Sequence, residues 1–258
     1  MTLTQIPGIK DPLTGKNYEI PPVIEWDEWF AGMQGGHHRW VDDEHFTLIG
    51  TTGCGKTTLA QQLLTLREYV ACLATKPRDE SLTRFINDPA YTVMREWKDL
   101  PVQGRHAAKK RLIWPKLEDL NFDQHWQRYH IENALDEMFT QGGWNIYVDE
   151  VRYLATELGL RRKLNLYLLQ YRAMGGSLLA GTQRPAWIPR EFYSQSQHMC
   201  LWQQSDPDDL RRIAGIGAFN SHFIRQLLPR LSRHQFLYLY VPTRYACISQ
   251  APNPGGGR

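Results

Sequence analysis

The sequence predicts an α/β fold built on a mostly parallel central sheet with helices on both faces. Three observations carry that expectation. Short apolar runs alternate with helical patterns from Phe46 onward. A glycine-rich loop joins the first such run to the first such helix. A later apolar run ends in two acids, Asp149 and Glu150. Strands separated by helices pair in parallel, and the crossover helices then cover both faces of the sheet.

The elements follow in order. Residues 1–45 are rich in Pro, Gly and Trp, and the first 50 residues hold eight acids against three bases. This segment reads as an extended arm with one short helix around Trp26–Met33. Phe46-Thr47-Leu48-Ile49 is a β-prone run that stops at Gly50. Leu59, Leu63, Leu66 and Val70 then share one helix face. Tyr69–Thr75, Tyr91–Trp97 and Arg111–Trp114 are candidate strands. Ile131, Leu135, Met138 and Phe139 mark a helix that Gly142-Gly143 ends. Trp144–Val148 is a strand. Leu164, Leu168 and Tyr171 line a helix that stops at Gly175-Gly176, and Ser177–Gly181 is the next strand. The predicted organisation is an N-terminal arm (1–45), a core (46–241), and a C-terminal strand with a flexible tail (242–258).

Composition narrows the class. With 258 residues the chain has room for one core with additions. A 42% apolar and 22% charged composition excludes a disordered or collagen-like chain. No run of about 18 apolar residues suggests a membrane span, and the first residues do not read as a secretory signal. Cys54, Cys72, Cys200 and Cys247 are too scattered for a metal pair. They suit a reducing, cytoplasmic setting, with the last three read as buried thiols. The adjacent His37 and His38 stand apart from other ligand types, so no metal site is expected there.

The decisive motif is Gly50-Thr51-Thr52-Gly53-Cys54-Gly55-Lys56-Thr57, followed by Thr58. It fits GxxxxGK[ST] at every fixed position, a pattern that arises by chance in roughly one such chain in a hundred. The glycines let backbone N–H groups turn inward around phosphate oxygens, and the following helix offers them its positive end. Lys56 can reach the β- and γ-phosphates, and the Thr57 hydroxyl suits Mg²⁺. An apolar strand ending in Asp149-Glu150 complements this loop. Alone, such a pair is more often a solvated helix cap. Beside a phosphate loop, Asp149 suits the metal and Glu150 suits a general base acting on water. That arrangement favours hydrolysis over transfer to a small-molecule hydroxyl. Gln183, after the Ser177–Gly181 strand, reads either as a γ-phosphate sensor or as an ordinary loop residue.

The strings GTTGCGKT, NIYVDE and YRAMGGSLLAGTQRP together resemble the FtsK–HerA superfamily of P-loop ATPases, from about Phe46 to Tyr240. The resemblance implies a P-loop NTPase of the additional-strand, catalytic-glutamate type that uses ATP and Mg²⁺. It also implies a homo-oligomeric ring, usually a hexamer, that pumps double-stranded DNA. Viral genome packaging and mobile-element transfer are the roles that fit this chain's size. Under it, Lys56 and Thr57 match the phosphate-loop positions, Asp149 and Glu150 the metal and water-activating positions, and Gln183 the sensor. Arg172 is the candidate for an arginine reaching a neighbouring subunit's site, with Arg161, Arg162 and Arg184 as rivals. Other readings are an ATPase that powers protein or virion assembly or export, and a non-catalytic nucleotide-dependent switch.

A formal net charge of +3 says little about nucleic acid, but its layout is uneven. No acid follows Asp209, while Arg211, Arg212, Arg225, Arg230, Arg233, Arg244 and Arg258 do. Residues 100–116 are also free of acids and carry Arg105, Lys109, Lys110, Arg111 and Lys116. Either stretch is a candidate for sequence-independent phosphate contact. The tryptophans are expected in cores or subunit contacts rather than stacked on bases.

Overall fold

The structure is a computed structural model. It describes residues 8–12, 14–76, 82–98, 100–101, 107–115, 124–215 and 219–251. The expected tail at 252–258 and the bases Arg105, Lys116 and Arg258 lie outside the described residues. The chain divides into two compact units. The first comprises Met1–Val41, Phe46–Leu59 and Thr182–Arg258, and the second Asp42–His45 and Ala60–Gly181. Among the described residues, the main-sheet strands are mostly parallel, as the sequence predicts.

In the first unit, residues 8–18 form a small antiparallel pair, β1 (Ile9–Lys10) and β2 (Asn17–Tyr18). Helix α1 (Trp26–Gly35) follows, close to its predicted span. The main-sheet strands here are β3 (Phe46–Ile49), β9 (His198–Trp202), β10 (Gln235–Tyr240) and β11 (Tyr245–Gln250). Their order is β11-β10-β9-β3. β3 and β9 are parallel, with Leu48 opposite Cys200. β10 runs antiparallel to both β9 and β11, and a short turn at 241–244 joins it to β11. The segment read as an arm contributes to this unit's core. Trp29 is fully buried on α1 and meets Phe236 and Tyr238 edge-on, with ring centroids 5.1 and 5.3 Å away. Val23 forms a parallel bridge to Ile248.

The second unit carries β4 (Val70–Leu73), β5 (Tyr91–Met94), β6 (Lys110–Ile113), β7 (Asn145–Val148) and most of β8 (Ser177–Thr182). Their order is β8-β7-β4-β6-β5, and every pair is parallel. β4, β7 and β8 are buried along their whole lengths. That explains why they read as continuous apolar runs rather than alternating ones. Helix α4 (Gln124–Gln141) buries Ile131, Leu135 and Met138, as the periodicity predicts. Helix α5 (Arg161–Gln170) buries Leu164, Tyr167 and Leu168.

Arg111 departs from expectation. The sequence reading offers it to a phosphate backbone, but it is 1% exposed. Its guanidinium lies over the rings of Trp97 and Trp144, 4.2 and 4.7 Å from their centroids. It donates to the carbonyls of Ala108, Lys98 and Leu100 at 2.9, 3.1 and 2.9 Å. A planar cation with five donors matches two ring faces and a set of loop carbonyls, so it is stable where a lysine would not be. Its neighbours are engaged as well. Lys109 pairs with Glu68 at 2.5 Å, and Lys110 donates to the Leu64 carbonyl at 3.0 Å.

His45 is the second buried polar anchor. The Leu178 N–H donates to its Nδ1 at 3.0 Å, which leaves Nε2 to donate to the Leu168 carbonyl at 3.2 Å. The first bond requires the neutral ring, whereas Nε2 can donate in either state. Burial lowers its pKa to about 4, with the Leu168 carbonyl opposing that shift.

Two predictions follow from these anchors. Arg111→Ala removes a buried cation's bonds to three loop carbonyls and should lower the unfolding free energy by about 3 kcal/mol in urea titrations, and Arg111→Lys should not restore it. His45 binds its proton more weakly folded than unfolded, so its contribution is complete above about pH 6.5 and declines as pH falls towards 4. His45→Gln should flatten that part of the stability–pH curve, measured by melting temperature at each pH.

Candidate nucleotide-binding site

The glycine-rich loop belongs to the first unit. It leaves β3 at Gly50 and enters helix α2 (Lys56–Leu64) at Lys56. Gly53 and Gly55 hold φ values of +74° and +113°, which side-chain-bearing residues rarely adopt. Gly50 is required for a different reason. A Cβ there would lie 2.6 Å from Cys54 Sγ and 2.8 Å from Trp202 Cβ. The loop is thus pressed against the end of β9, and Cys54 is buried beneath it.

Lys56 is 7% exposed and folds back over its own loop. Its Nζ donates to the carbonyls of Gly50 and Thr51 at 2.7 and 3.0 Å. This places an ammonium group within the curve of the loop. Thr57 and Thr58 open the helix behind it. Thr52 Oγ1 donates to Gln183 Oε1 at 2.8 Å, so the structure brings the candidate sensor to the phosphate loop.

Two contacts escaped the sequence reading. The His234 ring lies 3.2 Å from the Cys54 carbonyl through Nδ1. An Arg233 guanidinium nitrogen lies 3.2 Å from the Cβ position of Gly53. Both come from the turn before β10. The C-terminal excess of arginine was visible in the sequence, but not which arginine reaches the loop. The Trp202 indole N–H is buried with no partner among the described residues, 3.9 Å from the Cβ position of Gly55.

The second unit holds the acidic pair. Asp149 follows β7, whose Val148 lies opposite Leu73 on β4 and Ala180 on β8. Its Oδ1 accepts from Tyr147 Oη at 2.6 Å, and Lys76 Nζ stands 3.5 Å from Oδ2. Gly181 makes the approach of β8 possible. A Cβ there would meet the Asp149 carbonyl at 2.4 Å. Glu150 is half-buried, and its carbonyl accepts from the Tyr153 N–H at 3.1 Å. A π-helical turn, Tyr153–Glu157, follows it.

The arginine candidates are placed differently. Arg172 Nε donates to the Asp43 carbonyl at 2.7 Å, and its guanidinium lies 3.6 Å from the Asp43 carboxylate. Arg161 and Arg162 are exposed at the start of α5. Arg184 is bound to Asp206 and Asp209 at 3.3 and 3.0 Å. The C-terminal arginines are dispersed over several roles. Arg211 pairs with Asp208, Arg212 donates to the Ile188 carbonyl at 3.0 Å, and Arg230 to the Gly8 carbonyl at 3.3 Å. Burial pushes the thiols of Cys72, Cys200 and Cys247 up, as expected of structural cysteines.

The loop fits a nucleotide. Its glycines free the backbone to turn N–H groups towards an anion, and the Lys56 ammonium lies against the same loop. Gly50→Ala should abolish binding of a fluorescent ATP analogue. The fold should survive, because the added methyl displaces the loop from Trp202 rather than opening a core.

No protein-family profile matches the chain, and no curated protein matches it in sequence. Solved structures do match in fold. One is the genome packaging NTPase B204 from Sulfolobus turreted icosahedral virus 2, in complex with AMPPCP, at 16% identity and a TM-score of 0.58. That match covers 82% of this chain and 99% of the other. VirB4 of Thermoanaerobacter pseudethanolicus matches at 11% identity and a TM-score of 0.61, covering 82% of this chain and 90% of the other. EccC of Thermomonospora curvata, in complex with a signal sequence peptide, matches at 12% identity and a TM-score of 0.52. It is covered over 37% of its length, against 83% of this chain. The motifs of the sequence and the architecture of the sheet agree: this chain has the fold that the solved packaging NTPase and VirB4 share.

Proposed function

We propose that the protein is an ATP-hydrolysing motor that moves double-stranded DNA, as a viral packaging or mobile-element transfer ATPase. The observation that carries this reading is the glycine loop, with Lys56 inside it and Gln183 bonded to its Thr52. The fold likeness to a genome packaging NTPase supports the cargo.

The residues take distinct parts. The loop's N–H groups and Lys56 bind the β- and γ-phosphates and hold the nucleotide's charge. Thr57 and Asp149 would hold Mg²⁺, which would neutralise charge on the phosphates. Glu150 orients a water and accepts its proton. Gln183 distinguishes ATP from ADP through its amide. The parts suit an assembled homo-oligomer, with a hexamer as the expected ring, in which Arg172 of one copy meets a nucleotide held by the next. To do so Arg172 must release Asp43. That pair is half-exposed, so it is weak enough to exchange. No described helix is long and apolar enough to cross a membrane. The DNA-facing surface must exclude Arg111, since that side chain is buried.

A second reading keeps the ATPase and changes the cargo to a protein segment. It rests on the likeness to EccC, which was captured with a signal sequence peptide.

Lys56→Ala should remove nucleotide binding. Glu150→Gln should retain binding and lower kcat by about 10²-fold or more. Double-stranded DNA should raise the wild-type rate, with a stimulation that falls steeply as salt rises. Stimulation by peptide and not by DNA would move the conclusion to the second reading.

A further inference from the structure

The loop that follows Gln183 is held by a buried carboxylate that the nucleotide chemistry does not use. Asp209 sits in the first turn of helix α7 (Pro207–Ala214) and is 1% exposed. Its Oδ1 accepts from the Ala186 N–H at 3.0 Å, and its Oδ2 lies 3.0 Å from Arg184 Nε. Ala186 belongs to a one-turn 3₁₀ segment, Pro185–Trp187, directly after Gln183 and Arg184.

Other contacts join the same two elements. Asp206 caps α7, accepting from the N–H groups of Asp208 and Asp209, and also pairs with Arg184 at 3.3 Å. Arg212, on the same helix, donates to the Ile188 carbonyl at 3.0 Å. Burial pushes the Asp209 carboxyl above its ordinary value, while the Ala186 N–H and Arg184 favour the charged form. A charge kept in such a place without these two partners would be strongly unfavourable. The Asp209 geometry is therefore tightly determined, and the turn it grips is determined with it.

On the nucleotide side of the same turn, Gln183 Oε1 accepts from Thr52 Oγ1 at 2.8 Å. That contact lies at the surface, where one hydrogen bond of a mobile amide contributes little by itself. Its direction has to be imposed from behind. On the outer side, the Arg184 guanidinium lies 4.9 Å from the centroid of the Trp187 ring, which is 51% exposed. The turn thus has the phosphate loop on one side, α7 behind it and an exposed aromatic on the other.

We propose that Asp209 is a positioning residue that fixes the 184–187 turn, through Arg184 and the Ala186 N–H, so that the Gln183 amide is aimed at the γ-phosphate. This rests on the ATPase reading above. Asp209 touches no substrate. Its effect on turnover passes through Gln183, and it leaves the binding of the nucleotide to the loop and Lys56.

The test is a double-variant cycle on the full chain, reading kcat, KM for Mg-ATP, and affinity for a fluorescent ATP analogue. Asp209→Asn keeps the acceptor for Ala186 and removes the charge facing Arg184. Arg184→Gln removes the same pair from the half-exposed side and guards against a folding defect. Each should lower kcat about tenfold, a loss typical of small misplacement, with KM and analogue affinity unchanged. In a Gln183→Ala background, Asp209→Asn should cause no further loss. An equal fold-loss in both backgrounds would overturn the proposal, because Asp209 would then act independently of Gln183. So would unchanged kcat in Asp209→Asn and Arg184→Gln. If Gln183→Ala itself leaves kcat unchanged, the sensor role in the proposed function falls, and this inference falls with it. Loss of Gln183 activity with independent Asp209 effects would overturn this inference alone.

Discussion

The first unit is organised around a backbone constraint at the glycine loop. A chain that must turn its N–H groups inward, cross positive φ twice and lie against Trp202 has no room for Cβ at Gly50 and strong reason to avoid one at Gly53 and Gly55. Everything around the loop serves that conformation. β3 delivers it, α2 continues from it, and Lys56 satisfies the carbonyls that the turn exposes. β9 forms a floor with Trp202, and the turn before β10 closes one side with Arg233 and His234.

The second unit solves a related problem with buried polar anchors. Its strands β4, β7 and β8 are covered on both faces, so polar groups beside them must find complete sets of partners. Arg111 does so with two indole faces and three carbonyls, and His45 with one N–H and one carbonyl. Asn145 and Ser177 extend the pattern, bonded to each other at 2.7 Å at the starts of β7 and β8. These groups contribute specificity of register more than net energy, since apolar replacements of matched shape can be neutral. The acidic pair at 149–150 stands at the opposite end of β7, where Gly181 allows close approach of the neighbouring strand.

Much of this was legible in the sequence. The parallel strands appear as unbroken apolar runs, and α4 and α5 as periodic leucine and isoleucine positions, because burial on two faces or one stripe leaves a local pattern. Asp149, Glu150, Lys56 and Gln183 stand out as candidates because each follows a strand or glycine turn at a recognisable point. Arg111 was misread for an equally physical reason. A basic run has the same local appearance whether its members face solvent or two tryptophans that lie 14 and 33 residues away. The N-terminal segment was read as an arm because its prolines and glycines hide the burial of Trp29.

The sequence by itself determined the fold class, the phosphate loop and the identity of the chemical groups offered to it. These depend on short-range rules: steric freedom at glycine, strand and helix periodicity, and the donor and acceptor types of adjacent residues. The tertiary structure alone decided which charges are available. It buried Arg111, tied Arg184 to Asp206 and Asp209, and brought Arg233 and His234 to a loop some 180 residues earlier in the chain. Partnership between distant residues is set by packing, and packing leaves no local signature by which a buried cation and an exposed one can be told apart.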